Sequence, residues 1–316
     1  MNTSDQAEQD NNMTLDCGLF FAYFLDVPRD NHFDNFLLSM IVINAVMAVV
    51  ASCSNAVVIY TISRTPSLQT PSNILILGLA ISDLSVGIFS QPSFCLIRLY
   101  ELRRNLDLYC SLGKVYTFSI LPLADISFLT LTAITADRFL AVHLHLRYQD
   151  IITTKRIRIA LGFIWIFGVC FAVYTGIFHD KVALQIFNLC FFSTLLSLNG
   201  YSIFRVCLVI RRHSLQIQSQ QSAQQPINMV RFRKSVTIMF LVIGAFILCY
   251  VPYGVAKIML SVVDGHFYRL RIGFIISQTL LMSNGILNPI IYCWRIEDIR
   301  TSAVLLLRKM WRSNEN

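Results

Sequence analysis

The stretch Asn288-Pro289-Ile290-Ile291-Tyr292 closes an apolar run that begins at Ile272. Ile272 to Tyr292 is long enough to cross a bilayer as a helix. A proline there lacks a backbone donor, and its ring clashes with the preceding turn. Asn288 sets a side-chain amide where hydrocarbon is expected. Lipid cannot satisfy groups freed in this way; only neighbouring protein or trapped water can. The segment is therefore one helix of a packed bundle, carrying a polar, bendable joint.

Six further runs of similar length precede it: roughly Phe36–Ile62, Asn73–Ile97, Val115–Ala136, Ile157–Phe178, Leu184–Ile210 and Val236–Leu260. The chain of 316 residues is 55% hydrophobic and only 14% charged, against about 25% charged in soluble domains. Its mean hydropathy is +0.59. These features predict an all-α membrane protein, a seven-transmembrane helix bundle. Residues 1–35 read as an extracellular tail, 36–292 as the bundle, 293–312 as a short amphipathic cytoplasmic helix and 313–316 as a tail. No internal repeat of the transporter kind is visible.

The net charge of +8 is unevenly spread. Arg64, Arg147, Lys155, Arg156, Arg158, Arg211, Arg212, Arg231, Arg233 and Lys234 fall in the loops after spans one, three and five. The tail before span one instead holds Asp5, Glu8, Asp10, Asp16, Asp26, Asp30 and Asp34 against a single Arg29. Basic loops stay cytoplasmic, so the N-terminus is expected outside and the C-terminus inside. The basic excess reads as topology and as a surface for anionic lipid or a cytosolic partner, not for nucleic acid. No signal peptide is visible before Phe36, so span one is expected to act as the insertion signal. Asn2 and Asn12 lie in glycosylation sequons on the expected outer side.

The nine cysteines show no metal spacing. Cys17, Cys95, Cys110 and Cys190 lie on or near the expected outer side, where disulfides persist. Spacing alone does not fix their pairing.

Polar residues inside the spans are few: Asn55 in span one, Asp83 in two, and Asp125 and Ser127 in three, which ends at Asp137-Arg138-Phe139. Trp165 follows in four, Cys249-Tyr250-Val251-Pro252 in six, and Asn284 ahead of Asn288-Pro289-x-x-Tyr292 in seven. Buried groups of this kind face the bundle interior. Asp125 reads as a buried hydrogen-bonded acid in preference to a pocket floor.

The set, in this order, resembles the rhodopsin-like (class A) G-protein-coupled receptors over about Phe36 to Trp311. The stretch Asp137 to Tyr148, a short second outer loop near His179 to Ala183 and a fifth span without proline are similar to the melanocortin/adenosine-type group. The resemblance implies a receptor, not an enzyme, that binds an extracellular small molecule or peptide and opens the cytoplasmic ends of spans five to seven. Asp137, Arg138, Tyr201, Tyr250, Pro252, Asn288, Pro289 and Tyr292 would form the activation switch. Arg138 would pair with Asp137 at rest, and Tyr292 would swing inward toward Tyr201 and Arg138. Tyr250 stands where the family usually has tryptophan. Asn55 and Trp165 take structural polar positions. Asp83, Ser127, Asn284 and Asn288 correspond to a sodium pocket; no other cofactor is implied.

A heterotrimeric G protein would meet Arg138, Arg211, Arg212, Arg231, Arg233 and Lys234, with arrestin as a further partner. The third inner loop, His213 to Asn228, reads as mobile and polar. The region Met229 to Lys234 has no acid to hold Arg138 across to span six, which implies raised basal activity. Where the family keeps a disulfide cysteine, 25 residues before the arginine, this chain has Gly113. The usual bridge is therefore absent or rerouted through Cys110 to Cys17, Cys95 or Cys190. Ile120 replaces the acid that binds amines, and Met282 replaces the lysine that binds retinal. Lys257, Arg269, Arg271, Arg98, Arg103 and Arg104 are expected to form a solvated basic outer rim suited to an acidic ligand. The alternatives are an orphan or constitutively active receptor-like protein, or a small transporter or channel.

Overall fold

The computed structural model describes residues 30–144, 147–177, 182–220, 226–262 and 267–313. Seven helices within them are long and apolar enough to cross a membrane. Span one is Asn31–Arg64, span two Pro71–Leu102 and span three Leu106–Leu144. The helices carrying spans four to seven are Thr154–Ile177, Val182–Gln220, Pro226–Val262 and Phe267–Arg295. One turn of helix, Tyr148–Ile151, joins spans three and four, and Glu297–Ser313 follows span seven. No strand occurs among the described residues.

Local chemistry sets several of these boundaries. Asp30 caps span one by accepting from the His32 amide at 3.1 Å. Thr70 caps span two, and Pro71 opens it where no backbone donor is needed. Within span two, Val86–Ser90 widens into a π turn just before Pro92. The extra residue gives room to a proline ring that would strike the preceding turn of a regular helix. The turn rotates the last part of span two, and Gln91, Phe94, Arg98 and Glu101 all end up buried.

The expected third inner loop is mostly helical. The fifth helix runs on to Gln220 and the sixth begins at Pro226. Its glutamines have good helix propensity, and a helix already nucleated in the membrane extends at little cost. Span seven likewise continues to Arg295, so the helix that follows starts at Glu297, not at Cys293.

Beside two smaller clusters among the described residues, two large apolar cores are stacked along the bundle axis. One, nearest the start of span one, contains Phe33, Phe94, Tyr109, Tyr116, Ile120, Ile275 and Met282. The other contains Val58, Leu79, Phe128, Leu131, Phe246, Tyr292 and Ile299. Tyr250 packs against both. Large side chains such as Phe163, Ile166, Leu248 and Val49 point outward. That is the arrangement of a protein whose solvent is hydrocarbon. In the last helix Ile299 and Ala303 are buried while Arg300 is exposed, so its apolar stripe lies against the bundle.

Candidate functional site

Polar side chains collect at three levels. At the far end from Asp30, span three closes with a buried Asp137. Its Oδ2 accepts from Ser72 of span two at 2.7 Å and meets the Arg138 guanidinium at 3.1 Å. Its Oδ1 accepts from the Tyr148 hydroxyl at 2.6 Å. One carboxylate thus ties span two, span three and the joining turn. Burial, and then the bond to Asp137, push the Tyr148 phenol up to about 12, so it remains a donor at neutral pH.

Midway along the axis, Asn288 donates to Asp83 Oδ2 at 2.8 Å, which fixes the joint of span seven to span two. Ser127 donates to Ser82 at 2.9 Å on the neighbouring face. Asn55 donates to the Gly285 carbonyl at 2.8 Å, clipping span one to span seven. Asp83, Ser127, Asn284 and Tyr250 line one small cavity, closed on its apolar side by Ile120 and Met282. The Oδ1 atoms of Asn284 and Asn288 have no hydrogen-bond partner among the described residues. Tyr250 stacks on Phe246 with centroids 3.5 Å apart, and Phe246 on Phe128 at 4.4 Å. The tyrosine hydroxyl donates to the Ala124 carbonyl at 3.4 Å.

At the end where span one begins, Glu101 sits between two arginines. Its Oε2 accepts from Arg98 at 2.5 Å, and its Oε1 pairs with Arg271 of span seven. Arg271 also donates to the Tyr109 hydroxyl of span three at 3.4 Å and lies over the Phe33 ring of span one. Arg98 and Arg271 are 5% and 4% exposed, Glu101 1%. The sequence placed these two arginines on a solvated rim, and the structure corrects this. Guanidiniums leave water only where a carboxylate and ring faces replace it, and Glu101, Phe94 and Tyr109 do so.

The structure thus brings together Asp83, Ser127, Asn284 and Asn288, and separately Asp137 and Arg138. Tyr292 is buried in the core nearer Arg138, and its hydroxyl has no partner among the described residues. Tyr201 does not meet it: its ring is 54% exposed and lies under the Arg205 guanidinium. Asn199, two residues earlier, takes the inward place and donates to Thr132. Trp165 is half-buried against the core near span one's start. Pro252 and Pro289 lie inside continuous helices. Arg211 is exposed at the end of span five. Arg212, Arg231, Arg233 and Lys234 lie on the helical extensions of spans five and six, beyond the described side chains.

Cys110 is disulfide-bonded, whereas Cys95 and Cys190 are free thiols, so neither takes part in a bridge. The Cys95 thiol instead faces the Ile41 carbonyl at 3.5 Å. Cys17, Asn2 and Asn12 lie outside the described residues. Sequence reasoning missed Glu101, Ser72 and the tie from Tyr148 to Asp137. Glu101 lies past the expected end of span two at Ile97, and the helix runs on to Leu102 and buries it.

Seven crossing helices, a polar joint in the seventh and a closed acid–arginine pair at the end of the third define a seven-helix receptor. Residues 54–292 match the family profile of the 7 transmembrane receptor (rhodopsin family), and the chain belongs to that family. Its members are receptors, not enzymes. The chain is similar to mouse (Mus musculus) G-protein coupled receptor 3, 26% identical over 82% of this chain and 79% of the relative. It is also similar to human (Homo sapiens) G-protein coupled receptor 12, 26% identical over 81% and 77%.

Proposed function

We infer that the protein is a plasma-membrane receptor whose N-terminus is outside and whose ligand opens an inner cleft to a heterotrimeric G protein. The observation that carries this reading is the inner clamp. Arg138 is held by Asp137, and Asp137 is held in turn by Ser72 and Tyr148. Such a pair is a two-state element: closed, it fills the space between spans two and three; open, it frees a guanidinium at the mouth of the bundle. Arg211, Arg212, Arg231, Arg233 and Lys234 give that mouth its basic surface. No acid stands at the start of span six to hold Arg138, so the closed state has a weak latch and basal signalling is raised. Arrestin and anionic lipid suit the same basic surface, and Asn2 and Asn12 are glycan acceptors on the outer side.

The middle cavity suits a sodium ion. Asp83 supplies the charge, and the unpartnered oxygens of Asn284 and Asn288 with the Ser127 hydroxyl supply neutral donors of the hard kind such cations take. When bound, the ion would neutralise Asp83 and favour the closed bundle.

Receptor in nanodiscs, mixed with purified G protein, tests the coupling. The expected result is nucleotide exchange above the receptor-free rate without added ligand, falling to that rate in Arg138→Ala at an unchanged thermal midpoint. Exchange indifferent to Arg138→Ala removes the coupling mechanism. Wild-type exchange at the receptor-free rate removes the raised basal activity.

A further inference from the structure

Past its π turn, span two shows a buried stripe of Gln91, Phe94, Arg98 and Glu101, at the three- and four-residue steps of one helix face. Span three faces it with Tyr109, Gly113, Tyr116 and Ile120. Helical side chains lean toward their own N-terminus, and these two helices run in opposite directions. Arg98 therefore leans inward and Tyr116 outward, each toward the other. Phe94 marks the meeting point: its ring lies 5.3 Å from the Arg98 guanidinium carbon and 5.9 Å from the Tyr116 ring. Gly113 leaves no side chain between the two tyrosines.

The donors here outnumber the acceptors. Arg98 Nη1 is engaged by Glu101 and the guanidinium also bonds the Tyr109 hydroxyl, while Glu101 gives its other oxygen to Arg271. Arg98 Nε and the Tyr116 hydroxyl have no hydrogen-bond partner among the described residues, and neither does the Gln91 amide two turns further in. Arg98, Tyr116 and Gln91 are 5%, 3% and 0% exposed. A buried guanidinium is stable when its donors are met, and it has no capacity to accept. The complement of Arg98 Nε–H and Tyr116 O–H is a negatively charged oxygen acceptor, whose bonds to such donors are roughly twice as strong as neutral ones.

We propose that an acidic oxygen group of the extracellular ligand, a carboxylate or phosphate, docks between the outer halves of spans two and three on Arg98 and Tyr116. The inference rests on the receptor reading above and names the ligand class of its pocket. Phe94, Tyr109 and Tyr116 flank the acid with rings, so the group it terminates is apolar or aromatic.

The test uses full-length receptor in phosphatidylcholine nanodiscs and three probes: phenylacetate, phenyl phosphate and neutral benzyl alcohol. A ligand that binds the folded state raises the thermal midpoint saturably. At least one acid is expected to do so, with no shift from benzyl alcohol. The more effective acid identifies the head group; equal effects leave the shared acidic chemistry as the recognised feature. Tyr116→Phe keeps the ring against Phe94 and removes one donor, and is expected to raise the half-saturating concentration about tenfold. Equal shifts from all three probes, no shift from either acid, or an unchanged response in Tyr116→Phe overturns the proposal. G-protein exchange in the same nanodiscs separates the two readings. If the acids fail while exchange still depends on Arg138, the subsite is wrong and the receptor reading stands. If the acids bind and exchange ignores Arg138, the coupling falls and the subsite stands.

Discussion

Replacing Glu101 with alanine tests the strongest electrostatic tie in the bundle. The carboxylate joins span two to span seven through Arg271 and holds Arg98 on its own helix. Its loss removes two charge-assisted bonds, each worth about 1.5–3 kcal/mol. It also leaves two guanidiniums buried without their acid. Removing one partner of a buried pair costs about 3–5 kcal/mol. For a chain of this length each kcal/mol moves the thermal midpoint by about 2 °C, so Glu101→Ala is expected to lose about 6–10 °C. The assay is unfolding of the detergent-solubilised receptor at one fixed scan rate, since unfolding of such a protein is a rate-governed event. The triple variant Arg98→Met/Glu101→Leu/Arg271→Met removes all the charges together and is expected to recover most of the loss. A midpoint for Glu101→Ala within about 2 °C of wild type would refute the reasoning, because the arginines would then be hydrated and not buried.

Four further outcomes follow from the geometry. Gly168→Ala drives a methyl into Ile126, so it should lower the midpoint by an overpacking cost of about 1–3 kcal/mol and add no such cost in an Ile126→Ala background. Tyr148→Phe should speed amide exchange across Tyr148–Ile151. In the wild type that protection should hold from pH 7 to pH 9, because the raised phenol contributes below its unfolded value of about 10 and is lost only as pH rises through about 12. Sodium should raise the midpoint more than potassium does, and Asp83→Asn should erase the difference; equal midpoints in the wild type count against the ion site. Alkylation of the unfolded, unreduced chain, read by mass spectrometry, should label Cys95 and Cys190 and leave Cys110 unlabelled.

The sequence alone determined the number of spans, their approximate limits and the family, because a bilayer demands about 20 apolar residues per helix and makes each intramembrane polar group conspicuous. Asp83, Asn288, Asp137 and Arg138 stood out for that reason, and the structure pairs Asp83 with Asn288 and Asp137 with Arg138. The joint at Asn288-Pro289 is bound to span two just where its polarity required a partner. What only the tertiary structure decided were facts of rotation about the helix axis. Span two runs on past Ile97 to Leu102, through a π turn before Pro92, and its last turns bury Arg98 and Glu101. Tyr201 faces outward and Asn199 inward, two residues apart on one helix. In hydrocarbon both faces of a helix are apolar, so the hydrophobic period that orients a helix in water carries little information. Packing of neighbouring spans supplies that orientation, and with it the meeting of Arg98 and Tyr116 at the Phe94 ring.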